Sequence, residues 1–245
     1  MRVPRIYSPQ PLAPTQSVLL ELSVSKHLLS VLRLKPGALV KVFDGAGREF
    51  EACLVGIEKH RARVLIKSEI QNRSESPLKI ILAQGISRGE RMDFTLQKSV
   101  ELGVAEIMPV MTERSVVRLD EGNATRKQHH WQQTIISACE QSGRAQLPAL
   151  HAPISLQGLL AKHFNAQKLL LDPEARGSLH ALERPMNASV LLLVGPEGGL
   201  SDAEREAASH AGFLGVRLGP RILRTETAAL VALSLLQDRW GDLGS

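Results

Sequence analysis

From residue 78 onward, aliphatic runs of strand length alternate with amphipathic stretches of helical length, and no other feature limits the possible folds so strongly. Such alternation predicts an α/β fold with a mainly parallel sheet. The expected strands are Leu78–Ala83, Ile107–Met111, Lys168–Leu171, Val190–Val194 and Phe213–Leu218. The expected helices are Arg91–Leu102, with Phe94, Leu96 and Val100 facing inward, Thr125–Ser142, Ser155–His163, a helix opened by the capping box Ser201-Asp202-Ala203-Glu204 and running to about Ala211, and Thr225–Trp240. The middle of the last helix, Ala228 to Leu236, is apolar nearly all round. It must be buried on most sides, either as a central core helix or at a dimer interface.

Two of the strands run into Gly-Pro loops: Val194-Gly195-Pro196-Glu197-Gly198-Gly199-Leu200 and Leu218-Gly219-Pro220-Arg221-Ile222-Leu223-Arg224-Thr225-Glu226-Thr227. Gly and Pro at a strand end let the backbone turn sharply and come close to a ligand. Neighbouring strand ends of an α/β sheet form its binding crevice, so these loops are expected to hold a cofactor. The first loop is neither G-x-G-x-x-G nor a P-loop, and Glu197 sits where a carboxylate would repel a pyrophosphate. A phosphate-free, neutral or cationic ligand fits better, and S-adenosylmethionine is one. Glu197 also suits a helix cap, and the two roles are compatible.

Residues 1–71 have a different grammar. Short strands at Val18–Leu22, Ala38–Phe43, Glu49–Ile57 and Ala62–Ile70, a short helix from Ser25 to Leu32 and close turns predict a small barrel or sandwich. The polar run 71–77, ending in Pro77, is the best boundary, so the expected organisation is a module at 1–71, a linker at 72–77 and an α/β domain at 78–245.

The net charge of +5 favours a polyanionic partner, nucleic acid first. Arg2, Arg5, Arg88, Arg91, Lys98 and Arg114 fall in or beside loops and element starts, where they could meet phosphates; Arg144, just past a helix end, is a further candidate or a helix-dipole partner. Aromatic residues make up only 3% of the chain, which argues against reading RNA by base stacking. Cys53 and Cys139 stand far apart and outside any CxxC pattern, and the histidines show no metal-ligand spacing, so neither a disulfide framework nor a metal site is expected. The start MRVPRIY has no signal-peptide core, and no apolar run approaches the roughly 18 residues that span a bilayer, so the expected location is the cytoplasm.

Gly85-Ile86-Ser87-Arg88-Gly89 matches G-x-S-x-G between a strand and a helix. A serine hydrolase would use Ser87 with His151, His180 or His210. Its place on the first strand of the α/β part, and the charges of Arg88, Glu90 and Arg91, suit phosphate contact better than an acyl pocket.

Taken together, the runs MRVPRIY, HLLSVLRLKPG, SRGERMDFTLQKSVELGV, ACEQSGR, LLVGPEGGLSDAE and LGPRILRTETAAL closely resemble the bacterial 16S ribosomal RNA uridine-N3 methyltransferases, the E-type small-subunit enzymes of the SPOUT superfamily. The resemblance implies an N-terminal PUA-like RNA-binding β-barrel and a C-terminal SPOUT α/β domain with a deep trefoil knot at about 190–240. It implies a homodimer that methylates uridine N3 in the decoding region of 16S rRNA of the small ribosomal subunit, with S-adenosylmethionine as donor and neither metal nor membrane involved. Carried onto this chain, the cofactor residues would be Leu171, Leu193, Val194, Gly195, Glu197, Gly199, Leu218, Gly219, Ile222, Leu223, Arg224 and Thr227. Glu197 is then a candidate base, and Arg224 a candidate for stabilising charge on the uracil oxygens.

Overall fold

The computed structural model describes residues 3–115 and 121–244. The chain divides into two compact units, Met1–Glu75 with Cys139–Leu147, and Ser76–Ala138 with Pro148–Ser245.

The first unit is built on a five-stranded sheet. Its strands are β1 (Arg5–Tyr7), β2 (Ser17–Leu19), β3 (Leu39–Phe43), β4 (Glu49–Glu58) and β5 (Arg61–Ile70), in the order β1-β3-β4-β5-β2. Along β5, Ala62, Val64 and Ile66 are buried at every second position, the period of a strand with one face on a core. Phe50, Ala52, Leu54, Val40 and Val42 complete that core. Lys59 and His60 both have positive φ, 48° and 65°, as a two-residue hairpin turn between right-twisted strands requires. The helix expected from Ser25 starts earlier, as α1 (Leu22–Lys26), and widens into a π-helical turn over His27–Val31. Ser25 does not cap it. It is buried, and its hydroxyl accepts from the Ala62 N–H at 2.9 Å, tying the helix to β5.

Two expected RNA contacts are internal here. Arg5 donates to Glu49 at 2.6 Å and to the carbonyls of Cys139 and Arg144 at 2.6 and 3.2 Å, with both charged side chains at most 7% exposed. Arg144 pairs with Glu75 at 2.6 Å and is 5% exposed. Neither is placed to meet a phosphate. Guanidiniums are the side chains best suited to such closed sites, because they satisfy several acceptors at once. Asn72 bridges Glu49 and the Gly143 carbonyl, so residues expected to link domains are pinned by hydrogen bonds. Residues 139–147 fold with this unit, which a module confined to 1–71 does not include. Arg144→Lys should keep the charge but lose the two-nitrogen grip on Glu75, costing about 1 kcal/mol and 2–4 °C of melting temperature. Calorimetry checks this; weakened RNA binding at an unchanged melting temperature would restore Arg144 to the RNA-contacting set.

The second unit holds a sheet in which every pairing is parallel: β6 (Lys79–Gly85), β7 (Glu106–Met111), β8 (Ala149–Leu150), β9 (Ile154–Ser155), β10 (Gln167–Leu171), β11 (Ser189–Val194) and β12 (Leu214–Val216). The order is β12-β10-β11-β6-β7-β8, with β9 also on β7. Every residue of β11 is buried, as expected of a central parallel strand covered on both faces. The helices are α2 (Glu90–Glu101), α3 (Glu121–Ser142), whose residues 139–142 belong to the first unit, α4 (Leu156–Leu160), α5 (Asp202–His210) and α6 (Thr225–Trp240). On α2, Met92, Leu96 and Val100 are buried, but Phe94 is 46% exposed, against expectation. Two residues from Met92 in a 3.6-residue turn, Phe94 falls on the opposite face. On α6, Ala229, Ala232, Leu233 and Leu236 are buried, whereas Leu230, Val231 and Leu235 are half-buried. That helix has one core face and one partly open apolar face.

Candidate active site

The sheet order reverses around β10 and β11: the chain leaves β10, adds β11 on its inner side, then returns to place β12 on its outer side. A crevice outside the carboxyl ends of the strands is expected at such a reversal. A cavity of about 520 Å³ lies there, within the range of small-ligand sites. Its walls are the end of β10, the loop after β11, the end of β12, and residues 221–228.

Of the residues expected to hold a cofactor, Leu171, Val194, Gly195, Glu197 and Gly199 line this cavity, as do Leu218, Ile222, Leu223 and Arg224. Leu193, Gly219 and Thr227 do not: Leu193 is wholly buried within β11, and Thr227 is on the exposed side of the first turn of α6. Arg221 and Thr225, within the second loop, line it too, and Asp172, Arg205 and Arg217 line it without having been anticipated.

The loops are held by contacts that need specific residues. Gly85, at the end of β6, passes so close to the 195–196 peptide that a Cβ there would lie 2.4 Å from the Pro196 nitrogen. Gly199 has φ +67°, closing a turn in which its N–H donates to the Pro196 carbonyl at 2.9 Å. The Thr225 hydroxyl donates to the Gly195 carbonyl at 2.6 Å and accepts from Gln84 Nε2 at 3.0 Å. Thus β6, the first loop and the start of α6 share one buried network. Gln84 was detectable in principle, as a polar residue inside an aliphatic strand.

Glu197 Oε1 accepts from the Arg88 N–H at 2.9 Å and from the Arg91 guanidinium at 3.2 Å. Burial works to raise the Glu197 pKa, but hydrogen bonds from the N–H groups of Arg88 and Glu197 and from Arg91 outweigh it, and the net shift is downward. The carboxylate is therefore held ionised, as a strut between the 195–199 loop and the 87–91 loop. A lowered pKa makes it a weak proton acceptor. The expected capping box is present: Ser201 Oγ accepts from the Glu204 N–H and Glu204 accepts from the Ser201 N–H. That helix start is satisfied by its own side chains, so the Gly-rich loop before it is not built as a phosphate cradle.

Arginines surround the mouth. Arg91 is paired with Glu197, Arg114 donates to the Gly198 carbonyl at 3.2 Å, and Arg205 is held by Asp202 and Glu174. Arg217, Arg221 and Arg224 are exposed. Ile222, between the last two, is 87% exposed. Arg88 is also exposed, while Lys98 pairs with Glu101 on α2. Arg2 lies outside the described residues.

The hydrolase reading does not survive. Ser87 is buried, its hydroxyl reaches only the Gly85 carbonyl at 3.4 Å, and among the described residues no histidine hydrogen-bonds it. His151, one of the expected partners, is paired with Glu106 at the opposite end of the sheet. No group of metal-ligating side chains occurs among the described residues, and no described helix is long and apolar enough to cross a membrane.

Residues 74–237 match the model of the RNA methyltransferase domain, and residues 23–67 match that of the RNA methyltransferase PUA domain. Ribosomal RNA small subunit methyltransferase E of Buchnera aphidicola (subsp. Schizaphis graminum) is 37% identical over 99% of this chain and 98% of its own length. The chain belongs to the ribosomal RNA small subunit methyltransferase E family. The Bacillus subtilis member is 32% identical, covering 86% of this chain and 85% of its own. The crystal structure of the Neisseria gonorrhoeae member, bound to S-adenosylmethionine, shares 44% identity with a TM-score of 0.92 over 99% of this chain and all of its own. A Legionella pneumophila methyltransferase with S-adenosylmethionine bound superposes at a TM-score of 0.95, also at 44% identity, over 99% of this chain and all of its own.

Proposed function

We propose that this protein methylates N3 of a uridine in the decoding region of 16S rRNA, acting in the cytoplasm on the small ribosomal subunit with S-adenosylmethionine as donor. The observation that carries this reading is the 520 Å³ cavity walled by the two Gly-Pro loops, in a chain 44% identical to a relative bound to S-adenosylmethionine.

The residues fit that cofactor. The cavity is large enough, its walls are mostly backbone and aliphatic, and Asp172 and Glu226 offer carboxylates to a cationic ligand. The capped start of α5 provides no phosphate cradle, which the cofactor does not need. When bound, S-adenosylmethionine supplies an electrophilic methyl group on a sulfonium. The protein must exclude water, align the uracil and stabilise charge. The methyl carbon bonds to N3 as its bond to sulfur breaks, and the N3 proton leaves to solvent or a base. Leu170, Val194, Leu218 and Leu223 give a dry wall, which helps a reaction that disperses charge. Arg224 stands at the exposed edge of the cavity, suited to the uracil oxygens as negative charge builds on them. Glu197 acts as a strut and not as the base.

The same reading includes a PUA-like barrel in the first unit and a deep trefoil knot over about 190–240. It also includes a homodimer. The half-buried Leu230, Val231 and Leu235 on α6 and the exposed Phe94 on α2 are apolar groups that a second copy would cover.

The test is incubation of the full chain with methyl-labelled S-adenosylmethionine and small ribosomal subunits, followed by nucleoside analysis. N3-methyluridine at one decoding-region position is the expected product. Label absent, or on another base, would overturn the assignment.

A further inference from the structure

A second cavity, of about 370 Å³, lies on the other side of the 87–91 loop. Its floor is apolar, made by the buried Met92 and Trp131. Its rim carries Arg126, Lys127 and His130 from α3. One carboxylate, Asp93, also lines it and is engaged by His130 at 3.0 Å. Arg126 donates to Asn123 at 2.9 Å, and neither Arg126 nor Lys127 has an acidic partner among the described residues. The cavity is thus a cleft with a cationic edge over a closed apolar floor, suited to the anionic backbone of a nucleic-acid strand.

The two cavities share a wall. Arg88 and Arg91 bond Glu197 of the cofactor loop, while Ser87, Gly89, Met92 and Asp93 line the second space. Five residues span at most about 18 Å, so ligands on the two sides lie within a few nucleotides of each other along a strand. The Ser87 motif, idle as a nucleophile, then serves as part of this partition.

We propose that this cleft seats a backbone phosphate of the RNA strand flanking the methylated nucleotide, on Arg126 and Lys127. The inference rests on the RNA methyltransferase reading above and names where that enzyme takes hold of its strand next to the target.

The test is Arg126→Glu with Lys127→Glu in the full chain, the first exposed and the second half-buried on α3, with melting temperature measured to confirm folding. A control pair, Lys162→Glu with Arg184→Glu, makes the same charge change at exposed positions elsewhere. Three quantities are measured: affinity for a 16S rRNA fragment across a salt series, affinity for S-adenosylmethionine, and methylation rate. The α3 pair should lose at least tenfold in RNA affinity. Its slope of log affinity against log salt should flatten by about 1.4, two single-strand phosphate contacts, with cofactor affinity within twofold of wild type. The control pair should lose less than threefold. Unchanged RNA affinity in the α3 pair, or an equal loss in both pairs, would overturn the inference, the second because the effect would then be one of net charge. If wild type itself neither binds nor methylates rRNA, the underlying reading fails, and the inference with it.

Discussion

Replacing Gly85 with Ala should cost about 3 kcal/mol of stability, at the upper end of overpacking effects, and lower the melting temperature by roughly 6–12 °C. A Cβ at this position would stand 2.4 Å from the Pro196 nitrogen and 2.7 Å from the Gly195 carbonyl carbon. Both obstacles are backbone, so no side chain can rotate away. Relief requires β6 and the first Gly-Pro loop to separate, yet the loop is also tied to α6 through Thr225 and Gln84. The loop is a wall of the cofactor cavity, so a displacement near 1 Å should cost about a hundredfold in methylation rate as well. Gly56→Ala is the control: a Cβ there meets nothing within 4 Å, and the change should stay within about 0.5 kcal/mol. A Gly85→Ala protein with wild-type melting and activity would show that the loop does not pass β6 at this distance.

The second large effect is expected at Arg224. Its side chain edges the cavity at the start of α6, exposed, and the backbone around it is fixed independently: it is the N-cap residue, and its carbonyl accepts from the Ala228 N–H at 2.8 Å. Arg224→Ala should therefore fold normally. Loss of one preorganised donor to a developing oxyanion typically costs 10²–10³ in rate, and that fall is expected in single-turnover methylation at saturating RNA and cofactor. Affinity for S-adenosylmethionine should change by less than about threefold, since in the proposed role the removed group acts on the uracil and not on the donor. Near-normal turnover would remove Arg224 from the reaction; a large loss of cofactor affinity would make it part of the cofactor wall.

Where local chemistry dominates, the chain was legible. The bounds of α6 follow from its composition, the Ser201–Glu204 capping box from the spacing of two residues, and β11 from six consecutive apolar or small residues. Phe94 was not legible, because a helix of this length allows more than one apolar face and only packing chooses between them. β1 was missed, since a three-residue strand carries no periodicity of its own and exists through its parallel pairing with β3. Charges misled most. Arg5 and Arg144 look the same in the sequence as Arg88, yet the first two are buried against Glu49 and Glu75 and the last is exposed.

The sequence by itself determined the α/β grammar, the two loops and the class of ligand they suit, because glycine, proline and a misplaced carboxylate act through local backbone geometry and local charge. Only the tertiary structure decided which side chains those loops bring together. Burial, pairing and close approach depend on residues distant in the chain: Gly85 on Pro196, Thr225 on Gly195, and Glu197 on Arg88 and Arg91.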